Sequence, residues 1–117
     1  MAAKIGPIVS SDHLVNEDAA ELSEFEFGLT LANNAFQRWI VRCAAAAGYP
    51  DLGAVDVLVL RTVNHRARAK KLADICLVLN IEDTHVVNYA LKKLTKLGIV
   101  TSKKAGKENM FSTTKKG

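Results

Sequence analysis

Four side chains within six residues, Thr84, His85, Asn88 and Tyr89, are of the types that read the edges of bases. Asn can pair bidentately with adenine N6 and N7. Thr offers a hydroxyl to a base and a methyl to thymine, and His donates or accepts. Lys92, Lys93 and Lys96 come next, then Lys103, Lys104 and Lys107 around Gly106. An ammonium group is a point charge that pairs with phosphate, which positions a protein on nucleic acid without specifying sequence. Polar helix faces and lysine-rich turns are also common on surfaces with no partner. The order of the elements that carry these residues favours the binding reading here.

Lys70 to Ile81 reads as a helix, with Leu72, Ile75, Cys76 and Leu79 at i, i+3, i+4 and i+7. Asn80-Ile81-Glu82 is a short turn, and Asp83 or Glu82 can cap the next helix. That helix, from Asp83 to Leu97, turns Val87, Ala90, Leu91 and Leu94 inward and ends at Gly98. Ile99–Lys103 and Asn109–Thr113 are strand-like, joined by a basic turn at 104–108. Helix, turn, helix and basic hairpin, in that order, present one helix to a DNA groove and a β-wing to the backbone beside it. Upstream, Leu52 to Val63 is nearly all apolar apart from Asp56. Its β-branched content suits a buried strand, but its length suits a helix, which is the expectation. Asn64 to Ala69 is a connector with room for a very short strand.

A second pattern lies near the N-terminus. Leu22, Phe25, Leu29, Ala32, Phe36, Trp39, Cys43 and Ala46 are spaced 3, 4, 3, 4, 3, 4, 3. That is an a/d seam on a helix beginning near Asn16 to Ser23 and ending at Gly48, with Ile40, Ala44 and Ala47 widening it. Such aromatic bulk needs a large apolar partner, which either a second copy or the rest of the domain could supply. Residues 1–15 show no periodicity and are expected to form a flexible arm.

Charge is graded along the chain. The net charge is +4, but residues 1–27 hold six acids and one base, whereas residues 92–117 hold eight lysines and one acid, Glu108. A polarised chain of this kind presents one positive end to a polyanion. Apolar residues at 49% and charged residues at 24% are ordinary for a globular chain. No apolar run is long enough to span a membrane, and no signal peptide is evident. Cys43 and Cys76 lack metal-ligand spacing and are expected to be reduced core residues of a cytoplasmic protein. His13, His65 and His85 lack motif partners, and there is no phosphate loop or nucleophile elbow. No enzyme, metal or cofactor is expected.

Leu52 to Gly117 resembles the MarR family of winged-helix regulators. Lys71-Leu72-Ala73-Asp74-Ile75 is similar to that family's L-A-x-x-L helix. Leu91 to Val100 is similar to its V-x-x-L-E-x-x-G-L-V exit into the wing, and Thr113-Thr114-Lys115-Lys116-Gly117 to its L-T-x-x-G motif. The resemblance implies a bacterial, dimeric transcription regulator on a pseudo-palindromic operator, often with a small-ligand pocket. The family's wing commonly carries Asp-x-Arg, where this chain has Ala105-Gly106-Lys107, so a lysine clamp is expected instead. The family continues into long C-terminal dimerisation helices beyond the point where this sequence stops, so pairing is expected at the aromatic seam.

The sequence therefore predicts a mainly α fold with a small β-hairpin wing, a winged helix-turn-helix with a long N-terminal helix. Its parts are an arm over 1–15, a helix over 16–48 and a winged helix domain over 49–117. The expected function is sequence-specific binding of double-stranded DNA by a homodimer. The rival is a winged helix that docks an acidic protein partner instead. Base contacts are expected from Thr84, His85, Asn88 and Tyr89. Phosphate contacts are expected from Lys92, Lys93, Lys103, Lys104 and Lys107, with Arg66, Arg68 and Lys70 as further ones. Dimer contacts are expected from Leu22, Phe25, Leu29, Phe36 and Trp39.

Overall fold

A computed structural model describes residues 20–117. The expected arm over 1–15, and any helix start before Ala20, lie outside the described residues. The chain divides into two compact units, one ending at Trp39 and one spanning Ile40–Gly117. Helix α1 (Ala20–Ala46) provides the described part of the first unit and runs into the second.

The second unit contains α2 (Ala54–Asn64), a single 3-10 turn (His65–Ala67), β1 (Lys70–Lys71), α3 (Leu72–Leu79), α4 (Thr84–Lys96), β2 (Val100–Ala105) and β3 (Glu108–Thr113). The helix expected over 52–63 is α2. The helix expected over 70–81 is shorter: its first two residues form β1, which pairs with β3 through Lys70 opposite Phe111 and Lys71 opposite Met110. The sheet is antiparallel in the order β1-β3-β2. Two residues are too few for a periodic signal, and only the presence of β3 makes them a strand.

The core of this unit is one apolar cluster. Val57, Val59 and Val63 of α2 meet Ile75 and Cys76 of α3, Val87, Leu91 and Leu94 of α4, and Phe111 of β3. The inward faces of α3 and α4 are those the periodicity predicts. Cys43 departs from expectation: it is exposed, because the second-unit stretch of α1 turns Ile40 and Ala44 toward the core instead.

Both helices of the helix-turn-helix stop by the same device. After α3, Asn80 is left-handed (φ 54°), and the N–H groups of Ile81 and Asn80 reach the carbonyls of Cys76 and Leu77. After α4, Gly98 takes φ 79°, and Ile99 and Gly98 donate to Leu94 and Thr95. This Schellman pairing satisfies the last carbonyls of a helix, and the buried Leu94 and Ile99 supply its apolar contact.

The connector after α2 is strained and braced. Arg66 and Ala67 both have positive φ, a conformation that costs non-glycine residues about 1–2 kcal/mol each. The Lys70 ammonium donates to the carbonyls of Val63 (2.9 Å), His65 (2.6 Å) and Arg68 (2.7 Å), which bracket that turn. All three of its donors are thus engaged. Burial, assisted by the Arg68 charge, lowers the pKa of Lys70 below the ordinary lysine value. The carbonyls offset that desolvation. Lys70, a further phosphate contact in the sequence reading, is instead a brace within the fold, because its ammonium is taken up by these carbonyls.

Lys70→Met should lower unfolding stability by about 1–3 kcal/mol, since it strips three carbonyls of a charged donor. The neighbouring Lys71→Met should cost well under half as much, because its partner Glu108 is exposed. Urea denaturation of the two variants gives the comparison, and equal losses would show that the brace contributes nothing.

Candidate nucleic-acid interface

Helix α4 begins with a conventional side-chain cap: Asp83 Oδ1 accepts from the His85 N–H at 2.9 Å. Thr84 and His85 stand exposed in its first turn. Successive helical residues lie about 100° apart, so the exposed surface of α4 has a centre and two flanks. Lys92 and Lys96 are exposed along the centre with His85.

Asn88 and Tyr89 lie on opposite flanks. Asn88 is half-buried at the junction of two grooves. One is floored by Leu72, Ala73 and Phe111, with Lys71, Glu108 and Asn109 along it. The other runs between α4 and the hairpin, lined by Lys92, Thr95, Lys96, Ser102 and Asn109. Tyr89 is 72% exposed and lies with His85 and Val86 beside Val55 and Asp56 at the start of α2.

Lys93, expected among the phosphate contacts, is occupied inside the fold. Its ammonium lies 2.9 Å from Asp56 Oδ2 and donates to the Asp51 carbonyl at 2.6 Å. The hydrogen bond to Asp56 raises the Lys93 pKa; the charges of Asp56, Tyr89 and Asp51 add to this, against a smaller desolvation effect. Asp56 Oδ2 also accepts from the Gly53 N–H at 2.8 Å, which closes the first turn of α2. The buried acid in an apolar run was the available sequence signal. A buried carboxylate needs a cation, and the sequence did not say which lysine supplies it.

The hairpin turns at Gly106-Lys107, between the paired residues Ala105 and Glu108. Gly106 has φ 67° while Lys107 does not share a positive φ, as in a type II′ hairpin turn. Because side chains alternate across a strand, the register divides the wing's lysines. Lys104 pairs with Asn109 and shares a face with Ser102 and Phe111, toward the groove. Lys103 pairs with Met110 on the opposite face. Lys103, Lys104 and Lys107 are exposed, whereas Glu108, the hairpin's acid, is paired with Lys71 at 3.3 Å. Ser102, Asn109 and Thr95 are groove residues that sequence reading did not find: the first two are placed by the hairpin register, and Thr95 by the packing of α4 beside the hairpin.

The structure thus brings Asn88, Lys92 and Lys96 to one groove with Ser102 and Asn109, with Lys104 on the same face of the hairpin. It sets Tyr89 apart on the other flank and removes Lys93. The arrangement can offer a base edge two amides, Asn88 and Asn109, rimmed by cations for flanking phosphates. Among the described residues no group of His, Cys, Asp or Glu is arranged to hold a metal ion, and no helix is long and apolar enough to cross a membrane.

Comparison with known proteins agrees with this geometry. No curated protein matches the sequence. A crystal structure of MarR matches with a TM-score of 0.66 at 14% identity, over 80% of this chain and 66% of that one. The multiple antibiotic-resistance repressor MarR of Listeria monocytogenes matches with a TM-score of 0.58 at 17% identity, over 87% of this chain and 67% of that one. The chain therefore spans about two thirds of the length of these MarR structures and has their winged helix fold. The family model for the winged helix DNA-binding domain matches residues 52–117, the span over which the sequence resembles MarR regulators. This chain belongs to the winged helix DNA-binding domain family.

Proposed function

We propose that this chain is a sequence-specific double-stranded DNA-binding regulator of transcription in the bacterial cytoplasm. It acts as a dimer, with α4 in the major groove and the β2–β3 hairpin as wing. The observation that carries this reading is Asn88. It sits half-buried in the groove between α4 and the hairpin with the unpaired cations Lys92 and Lys96, and Lys104 lies on the same face of the hairpin. A side chain so restricted loses less freedom on pairing with a base than an exposed one. Thr84 and His85 extend the base-reading surface toward the helix start. Tyr89, on the far flank, meets sugar or an adjacent base. Lys103 and Lys107 add phosphate contacts from the wing.

The dimer rests on the first unit. Leu22, Phe25, Leu29 and Trp39 are each more than half exposed, and Phe36 is 42% exposed. Apolar exposure of that extent along one seam calls for a partner.

DNA affinity should fall steeply with salt, with a log–log slope of about −0.9 per phosphate neutralised. Lys92→Ala and Lys104→Ala should each make that slope shallower by about one and weaken all sequences alike. Asn88→Ala should leave the slope in place while narrowing the gap between preferred and random duplexes by about 1–3 kcal/mol. Lys93→Ala should lower the unfolding midpoint with no change in slope. Titration of labelled duplexes at several salt concentrations separates these outcomes. A protein that retained no duplex at low salt would be a protein-docking module instead.

Phe36→Glu and Leu29→Glu should each give a folded monomer, read by light scattering and circular dichroism. Loss of the fold in both would place the seam in the protein's own core.

A further inference from the structure

In α1 the seam falls into heptads with Leu22, Leu29 and Phe36 at a and Phe25, Ala32 and Trp39 at d. All six are exposed, as are the next two seam residues, Cys43 and Ala46, while Ile40 at the neighbouring e position is buried. The flanking g positions are Glu21, Gly28, Ala35 and Arg42, and the e positions before Ile40 are Glu26 and Asn33. The charges of this helix are sorted by position: Glu21, Glu24 and Glu26 near its start, Arg38 and Arg42 near its end, none between.

Resting on the dimer reading above, we propose that two copies of this chain pair through α1 as an antiparallel coiled coil centred between Thr30 and Leu31. In that register Leu22 meets the partner's Trp39, Phe25 meets the partner's Phe36, and Leu29 meets the partner's Ala32. The twofold axis repeats these layers, giving six in all. They use every large apolar residue of the exposed seam and stop where Ile40 is buried. Large residues face large ones at the ends. At the centre the large Leu29 faces the small Ala32, flanked by Gly28 and Ala35, so the backbones can approach closely.

Charge fixes the direction. In an antiparallel pair g faces g, which sets Glu21 beside the partner's Arg42 in this same register. A parallel in-register pair would set g against e of the next heptad, placing Glu21 beside the partner's Glu26. Opposite charges across such a seam favour one pairing, and like charges disfavour the other. The parallel arrangement would also stack Ala32 on the partner's Ala32 between the bulky Leu29 and Phe36 layers and leave a void there.

Cysteine cross-linking distinguishes the two directions. Parallel pairing puts Cys43 at an a position beside the partner's Cys43, where mild oxidation would join them. Antiparallel pairing separates those sulfurs by roughly 37 Å, at about 1.5 Å per residue, and the unmodified dimer should not cross-link. In a Cys43→Ser background, Leu22→Cys alone and Trp39→Cys alone should form no disulfide dimer. Their mixture should form one. Glu21→Arg should weaken dimerisation about tenfold, and Glu21→Arg with Arg42→Glu should restore it. These two positions are exposed, so the swap tests the pairing without disturbing the core. A monomer by light scattering would overturn the dimer reading itself. A dimer that cross-links at Cys43, at Leu22→Cys alone, or not at all in the mixture would overturn the antiparallel register and leave the dimer standing.

Discussion

The contact between the Lys93 ammonium and the Asp56 carboxylate holds α4 at a fixed place on α2. One carboxylate oxygen serves two elements: it closes the first turn of α2 through Gly53 and anchors α4 through Lys93. Lys93 also holds the Asp51 carbonyl, so the loop entering α2 is tied to the same point. Apolar packing of α2 on α4 supplies most of the adhesion, but packed methyl groups tolerate rotation of one helix against another. A charged hydrogen bond with fixed partners tolerates much less. No buried side-chain polar atom lacks a partner among the described residues, so this contact fixes orientation without leaving an unsatisfied group elsewhere.

With that orientation set, the outward surface of α4 is divided. The flank carrying Asn88 and Thr95 turns to the hairpin, and the flank carrying Tyr89 and Lys93 turns to α2. The hairpin's own position depends on Gly98, which stops α4, and on Phe111, whose burial sets the strand register. A one-residue slip of β3 would exchange Phe111 for Met110 on the core face and carry Asn109 away from the groove. The chemistry of the groove is thus decided by a core residue two positions from Asn109.

The elements were legible in the sequence wherever burial imposes a long period. The inward faces of α3 and α4, the stop at Gly98 and the helical state of residues 54–63 all arise from apolar spacing or from a residue with one conformational role. The features that were hidden depend on a partner far along the chain. Lys92 and Lys93 are neighbours of the same type, yet one faces solvent and the other a carboxylate thirty-seven positions away. Nothing local distinguishes them beyond about 100° of helical rotation. Lys70 and Lys71 are likewise adjacent: one braces a strained turn and the other pairs with Glu108. Cys43 continues the spacing of the N-terminal seam, but burial favours Ile40 and Ala44 instead.

A basic surface of this kind carries less free charge than its lysines suggest. Of the lysines on α4, the hairpin and β1, three are bound to oxygen acceptors within the fold: Lys70, Lys71 and Lys93. The positive charge left for a polyanion is therefore smaller than the count in the sequence, and it is concentrated. Lys92 and Lys96 lie on the helix centre, and Lys103, Lys104 and Lys107 lie on the hairpin. Lys92 and Lys96 border the groove that holds Asn88, and Lys104 lies on the hairpin face turned toward it. Internal pairing thus turns a diffuse excess of cations into two separate rows. Two rows bordering a polar groove suit a grooved, doubly charged polymer better than they suit a single acidic patch on a protein.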